Sequence, residues 1–147
     1  MVDDEAPRLS FIRDPVEVLL QGEIPESVDI PVHPNHPKKG MREISLNPPT
    51  IFIESEDATG TYRLKEFADV GENGIIESID RSDKRPIIHW TSATNSVKTK
   101  LIIPDQEEIK IVNGRVEFND YSIGTIVQLE RIGYAIITKD GYLLMHE

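Results

Sequence analysis

No cysteine occurs among the 147 residues, which excludes disulfides, thiolate metal sites and thiol nucleophiles and fits a cytoplasmic protein. Long apolar runs are lacking too. None approaches the roughly 20 residues that a bilayer-spanning helix needs. The opening MVDDEAPRL is acidic and has none of the apolar stretch of a secretory signal. Positive charge is scarce: 16 Lys and Arg stand against 26 Asp and Glu, a formal net charge of −10. Such acidity argues against broad, non-specific binding of DNA or RNA, which depends on neutralising phosphates. It leaves room for a local basic patch on an acidic body. Three small basic clusters exist: Lys38-Lys39-Arg42, Arg81-Lys84-Arg85 and Lys98-Lys100. The common catalytic signatures are also absent. There is no P-loop, GxGxxG, HExxH or GxSxG elbow. No residue presents itself as catalytic.

What is present is the texture of a β protein. Short apolar or alternating runs recur, among them VEVLL (16–20), TIFIE (50–54), TYRLK (61–65), GIIESI (74–79), PIIHWT (86–91) and VKTKLII (97–103). EIKIV (108–112), TIVQLER (125–131), YAIIT (134–138) and YLLMH (142–146) follow. VKTKLI and EIKIV alternate strictly, as half-buried strands do. Asn113-Gly114 and Asp140-Gly141 predict hairpin turns, because glycine adopts positive φ without penalty. Helical patterning is thin: one turn at Ser55–Ala58 and another in LKEFADV (64–70) are the candidates. About ten short strands between prolines and turn residues imply one or two β-barrels or a sandwich.

The stretch HPNHPKKGMR (33–42) gathers two imidazoles and three cations in ten residues. A zinc site would need a third ligand, and the prolines hold the two histidines on an extended backbone, so no metal is expected. The stretch reads as a stiff connection in which Gly40 permits a turn and Arg42 opens a strand. TYRLK interleaves an aromatic with cations that share a strand face, the pattern that suits single-stranded RNA, and equally that of an ordinary half-buried strand. Phe11 between Arg8 and Arg13 is similar. Trp90 reads as core.

Taken in order, these segments resemble the anticodon-binding region of glutamyl- and glutaminyl-tRNA synthetases. APRLSFIRDPVEV (6–18) resembles its entry strand. HPNHPKKGMREI (33–44) resembles its segment of two His-Pro pairs followed by Gly, Arg and an apolar residue. TIFIESEDA (50–58), TYRLKEFADV (61–70), IIHW (87–90) and IVQLERIGYAII (126–137) resemble its successive strands. The short loops look nearer to the archaeal and eukaryotic glutamyl branch than to the bacterial glutaminyl one.

The resemblance implies an all-β fold of two β-barrels, related to ribosomal protein L25, in which a distal barrel interrupts a proximal one. Mapped here, residues 1–7 would be a linker from a missing catalytic core, 8–65 plus 118–147 the proximal barrel, and 66–117 the distal barrel. It also implies that the chain binds the anticodon arm of tRNA(Glu), beside an N-terminal catalytic domain that holds ATP and Mg2+ and ligates glutamate to tRNA in translation. No cofactor, membrane or DNA is implied for the chain itself. The matched positions are Arg8, Gln128 and Arg131 at an anticodon base pocket and Arg63 and Lys65 on a basic strand. Lys38 and Lys39 are unspecific phosphate partners. The family's longer loop between the strands at TIFIE and TYRLK is reduced here to SEDATG, so its contacts do not carry over. Two rival classes remain: an L25-like rRNA-binding protein, which the charge weighs against, and a protein-docking module of a synthetase complex, which the acidity would suit.

Overall fold

The computed structural model describes residues 6–32, 38, 40–80 and 83–146, with no account of the His146 side chain. Among these residues, sixteen short strands carry the fold. They begin β1 (Arg8–Leu9), β2 (Phe11–Arg13), β3 (Pro15–Leu19), β4 (Ser27–Pro31), β5 (Met41–Ser45) and β6 (Thr50–Glu54). Then come β7 (Tyr62–Leu64), β8 (Ala68–Val70), β9 (Ile76–Ser78), β10 (Ile87–Ile88) and β11 (Thr91–Ser92). The last five are β12 (Ser96–Pro104), β13 (Ile109–Glu117), β14 (Ile126–Leu129), β15 (Gly133–Thr138) and β16 (Gly141–His146). Helix among the described residues is confined to single 3-10 turns such as Ser55–Asp57. No helix among them is long and apolar enough to cross a membrane. The all-β expectation therefore holds.

Seven strands form one sheet in the order β1-β14-β15-β16-β12-β13-β2. Its two edge strands are separated in the chain by Ser10 alone, so a single N-terminal segment pairs with both ends and closes the sheet into a ring. The pairing with β14 is parallel and that with β13 antiparallel. Closure removes the free edges that an open sheet would expose. Inside the ring, Leu9, Phe11, Leu101, Val116, Val127, Leu129, Ala135 and Leu144 make one apolar core, and the Phe11 and Tyr142 rings meet edge to face at 5.8 Å.

Residues between these segments make a second unit of three sheets, β10-β7-β8-β9, β11-β6-β3 and β4-β5. Their shared core includes Leu20, Ile44, Ile51, Ile53, Tyr62, Leu64, Phe67, Val70, Ile88 and Trp90. The expected boundary at 65/66 runs through this core, since Leu64 and Ala68 both belong to it. Likewise, the expected boundary at 117/118 separates Val116 from Val127, which share the core of the ring. The two cores instead divide the chain near residues 14 and 93–95.

Two local expectations are corrected. Asn113-Gly114 makes no turn. It lies mid-strand in β13, opposite Lys100 and Thr99, and the β12–β13 connection is made earlier in the chain, where the Asp105 N–H donates to the Glu108 carbonyl at 2.9 Å. Glycine is needed at 114 for another reason: a Cβ there would collide with the Phe11 ring and stand 2.7 Å from the Ile12 carbonyl oxygen, where β2 crosses. LKEFADV makes no helical turn either. It is the tip of the β7–β8 hairpin, with Glu66 at φ 61° and the Phe67 N–H bonded to the Leu64 carbonyl at 3.0 Å. The hairpin expected at Asp140-Gly141 is present between β15 and β16, with Gly141 at φ 146°.

Candidate nucleic-acid interface

Among the described residues, four ion pairs bridge the two units, each with one member on either side: Arg13–Glu54, Arg42–Glu117, Lys65–Glu130 and Arg131–Asp57. The first is bidentate, with Arg13 Nε 2.7 Å from Glu54 Oε2 and Nη2 2.9 Å from Oε1. His89 Nε2 lies 3.3 Å from the same carboxylate. Burial alone would raise the Glu54 pKa, but His89 and Arg13 outweigh it and hold the carboxyl at about 2. Glu117 behaves oppositely. It is 3% exposed, and burial pushes it up to about 7 although Arg42 Nε stands 2.7 Å away and the Ser10 N–H donates at 2.6 Å. Neither Glu54 nor Glu117 was singled out by the sequence, because their partners lie 35 to 107 residues away.

The matched positions fall around this junction in a definite pattern. In the parallel β1–β14 pairing Arg8 stands opposite Gln128, so the two come together from distant parts of the chain. The β14–β15 turn follows directly, closed by the Ile132 N–H on the Leu129 carbonyl at 3.0 Å, with Arg131 at φ 64°. That turn presents Glu130 to Lys65, Nζ to Oε2 3.1 Å, and Arg131 to Asp57, Nη1 to Oδ2 2.7 Å. Arg8, Lys65, Gln128 and Arg131 therefore gather at one corner of the molecule. Arg8 differs from the other cations there: no ion pair engages it among the described residues, and its Nε is buried with no hydrogen-bond partner.

Arg63 is held elsewhere. Its Nη1 is 3.0 Å from Asp69, a fully buried carboxylate, and Nη2 donates to the Ile79 carbonyl at 3.1 Å. Tyr62 and Trp90 are core residues, 5% and 4% exposed, with Trp90 Nε1 donating to the Lys65 carbonyl. Neither offers a stacking face. Lys38 is exposed; Lys39, His33 and His36 lie outside the described residues. Glu54, Asp57 and His89 place one ligand atom each within 4.8 Å of one another, a spacing that could hold a cation. Both carboxylates already face a guanidinium, however, so the local charge is balanced without a metal.

A closed β-ring thus stands beside a second β-unit, with an arginine and an amide juxtaposed in the parallel register of β1 and β14. The chain belongs to the anti-codon binding domain family of class I tRNA synthetases of the E and Q type, whose family model matches residues 6–142. It is similar to the glutamate–tRNA ligase of Natronomonas pharaonis, 35% identical over 94% of this chain and 25% of the relative. Glutamate–tRNA ligases of Pyrococcus abyssi (32% identical; 95% and 27% of the two chains) and Methanocaldococcus jannaschii (27%; 97% and 28%) are also similar. The chain spans about a quarter of the length of these curated relatives.

Proposed function

We propose that this chain binds the anticodon arm of tRNA(Glu) and, within a longer cytoplasmic glutamate–tRNA ligase, directs catalysis to the cognate tRNA. The observation that carries the reading is the register that sets Arg8 against Gln128 with the Arg8 Nε buried and unpartnered. A guanidinium can fork onto a base edge or phosphate, and an amide both donates and accepts, so the pair suits an unstacked base. Lys65 and Arg131 supply adjacent positive charge. Glutamate activation, with its ATP and Mg2+, is assigned in this reading to a catalytic domain outside these 147 residues.

Filter binding of the chain to tRNA(Glu) and to anticodon-substituted versions tests the proposal. Cognate RNA should bind more tightly, and Arg8→Ala or Gln128→Ala should each weaken it by about 1–3 kcal/mol, as removal of a base-edge hydrogen bond does. Equal affinity for a scrambled anticodon refutes the reading.

A further inference from the structure

A second cationic surface lies on the outer face of the ring. Alternation along β12 turns Leu101 into the core and leaves Lys98 and Lys100 exposed on the opposite face. β13 sets Arg115 opposite Lys98 and Asn113 opposite Lys100. Arg115 is fixed in place: Nε donates to Ser96 Oγ at 2.9 Å, Nη2 to the Ser96 carbonyl at 3.0 Å, and its guanidinium carbon lies 4.4 Å from the Phe52 ring centroid. Phe52 and its strand partner Glu17 come from the second unit, so these side chains line a groove between the two units. Neither Lys98 nor Lys100 forms an ion pair among the described residues, whereas Arg13, Arg42, Arg63, Lys65, Arg85 and Arg131 all do.

We infer that this groove is a binding site for the phosphodiester backbone of RNA, separate from the Arg8–Gln128 corner. Three cations against the one carboxylate of Glu17 leave it net positive on a chain of net charge −10. The ligand class follows from the form of the charge. Two mobile ammonium groups two residues apart and one rigid guanidinium suit a row of phosphates, which ask for charge and not for a base-specific donor pattern. The inference rests on the chain being an RNA binder, but not on which bases it reads.

The test is the Lys98→Ala/Lys100→Ala variant of this chain, titrated with tRNA(Glu) and with an anticodon-scrambled tRNA over a range of salt. Both substitutions are on exposed side chains, and circular dichroism checks the fold. Expected is weaker binding of both RNAs by the same factor. The slope of log affinity against log salt should shrink by about 0.7–0.9 for each phosphate that the variant no longer neutralises. An unchanged slope with anticodon preference intact overturns the groove and leaves the base-reading corner standing. A lysine-dependent slope without anticodon preference supports the groove and overturns the corner. Binding of neither RNA overturns both. Displacement of tRNA by polyglutamate at equal charge would reassign the groove to an acidic polypeptide and overturn the RNA assignment.

Discussion

Replacing Glu117 by Gln should change how stability depends on pH in a direction unusual for a carboxylate. Most ionised carboxylates in folded proteins are stabilised by their partners, so stability is lost on acidification. Glu117 is 3% exposed between Ser10 and Arg42, and burial raises its pKa from 4.5 to about 7. Between those values the unfolded chain has released this proton and the folded chain retains it. Unfolding then releases a proton, so rising pH favours the unfolded state. Integrated at about 1.4 kcal/mol per pH unit, the loss from pH 4.5 to about 7 comes to about 3 kcal/mol. Glutamine resembles the protonated acid and does not titrate. Urea denaturation of both proteins from pH 4.5 to 8 measures the difference. Taking the difference also cancels the self-repulsion common to two such acidic chains. The variant's stability relative to the wild type should climb by about 3 kcal/mol up to pH 7 and then level off. A difference that stays constant across this range would mean that Arg42 keeps Glu117 ionised, and the argument from burial would fail.

Arg13→Ala leaves the Glu54 carboxylate, 4% exposed, without its bidentate partner; denaturation at neutral pH should show a loss of about 3–5 kcal/mol. Glu54 itself titrates from an ordinary 4.5 down to about 2, so its contribution is present above pH 4.5 and lost as pH falls toward 2, and Glu54→Gln should flatten that acid limb. Gly114→Ala forces a methyl group against the Phe11 ring and the Ile12 carbonyl, and should lower stability by about 1–3 kcal/mol in thermal or urea unfolding. Arg63→Ala should destabilise the fold by about 3–5 kcal/mol, because Asp69 is buried completely. Arg131→Ala, on a cation 44% exposed, should cost under about 1 kcal/mol and should be detected in the RNA-binding assay instead, whereas Lys65→Ala leaves the buried Glu130 carboxylate without its partner and should cost more than Arg131→Ala in the same denaturation assay.

VKTKLII was legible because burial of Leu101, with Lys98 and Lys100 on the exposed face, writes a period of two into the sequence, whereas EIKIV alternates without burial: Ile109 and Ile111 are 68% and 56% exposed. Ala68–Val70 was not legible. Its hairpin turns through Glu66, and glutamate at positive φ carries no turn signature. Asn113-Gly114 misled for the converse reason. Glycine marks either a reversal of direction or a close approach of another strand, and only the crossing of β2 decides between them. The division into two cores depends on which strands share an interior, which local pattern does not encode. Arg8 and Gln128 were selected by resemblance to a family; their adjacency comes from a parallel register between residues 120 apart in the chain, and no spacing rule reaches that far. The pairing of Lys65 with Glu130 and of Arg131 with Asp57 was equally hidden, with separations of 65 and 74 residues.

These pairings sort the family-matched cations by what it would cost to lend each to RNA. A phosphate can draw a cation from an exposed carboxylate cheaply, because water rehydrates the released anion and such pairs contribute little. It cannot do so where the carboxylate is buried, since the anion left behind keeps its desolvation penalty. Arg63 against fully buried Asp69 falls in the second class. Lys65 belongs with it, since its Glu130 partner is buried at 9% exposure, whereas Arg131, whose Asp57 partner retains 13% side-chain exposure, lies nearer the first. Arg8 faces no such exchange among the described residues. Lys65 and Arg131 also bridge the two units, so RNA that engages them must loosen two of the four ion pairs described at the junction. The Arg13–Glu54 pair and the buried Glu117 beside Arg42 remain to hold the units in register. The Arg13–Glu54 pair, with the most buried carboxylate that stays ionised, thus keeps the alignment, while Arg131 is the bridging cation freest to exchange carboxylate for phosphate.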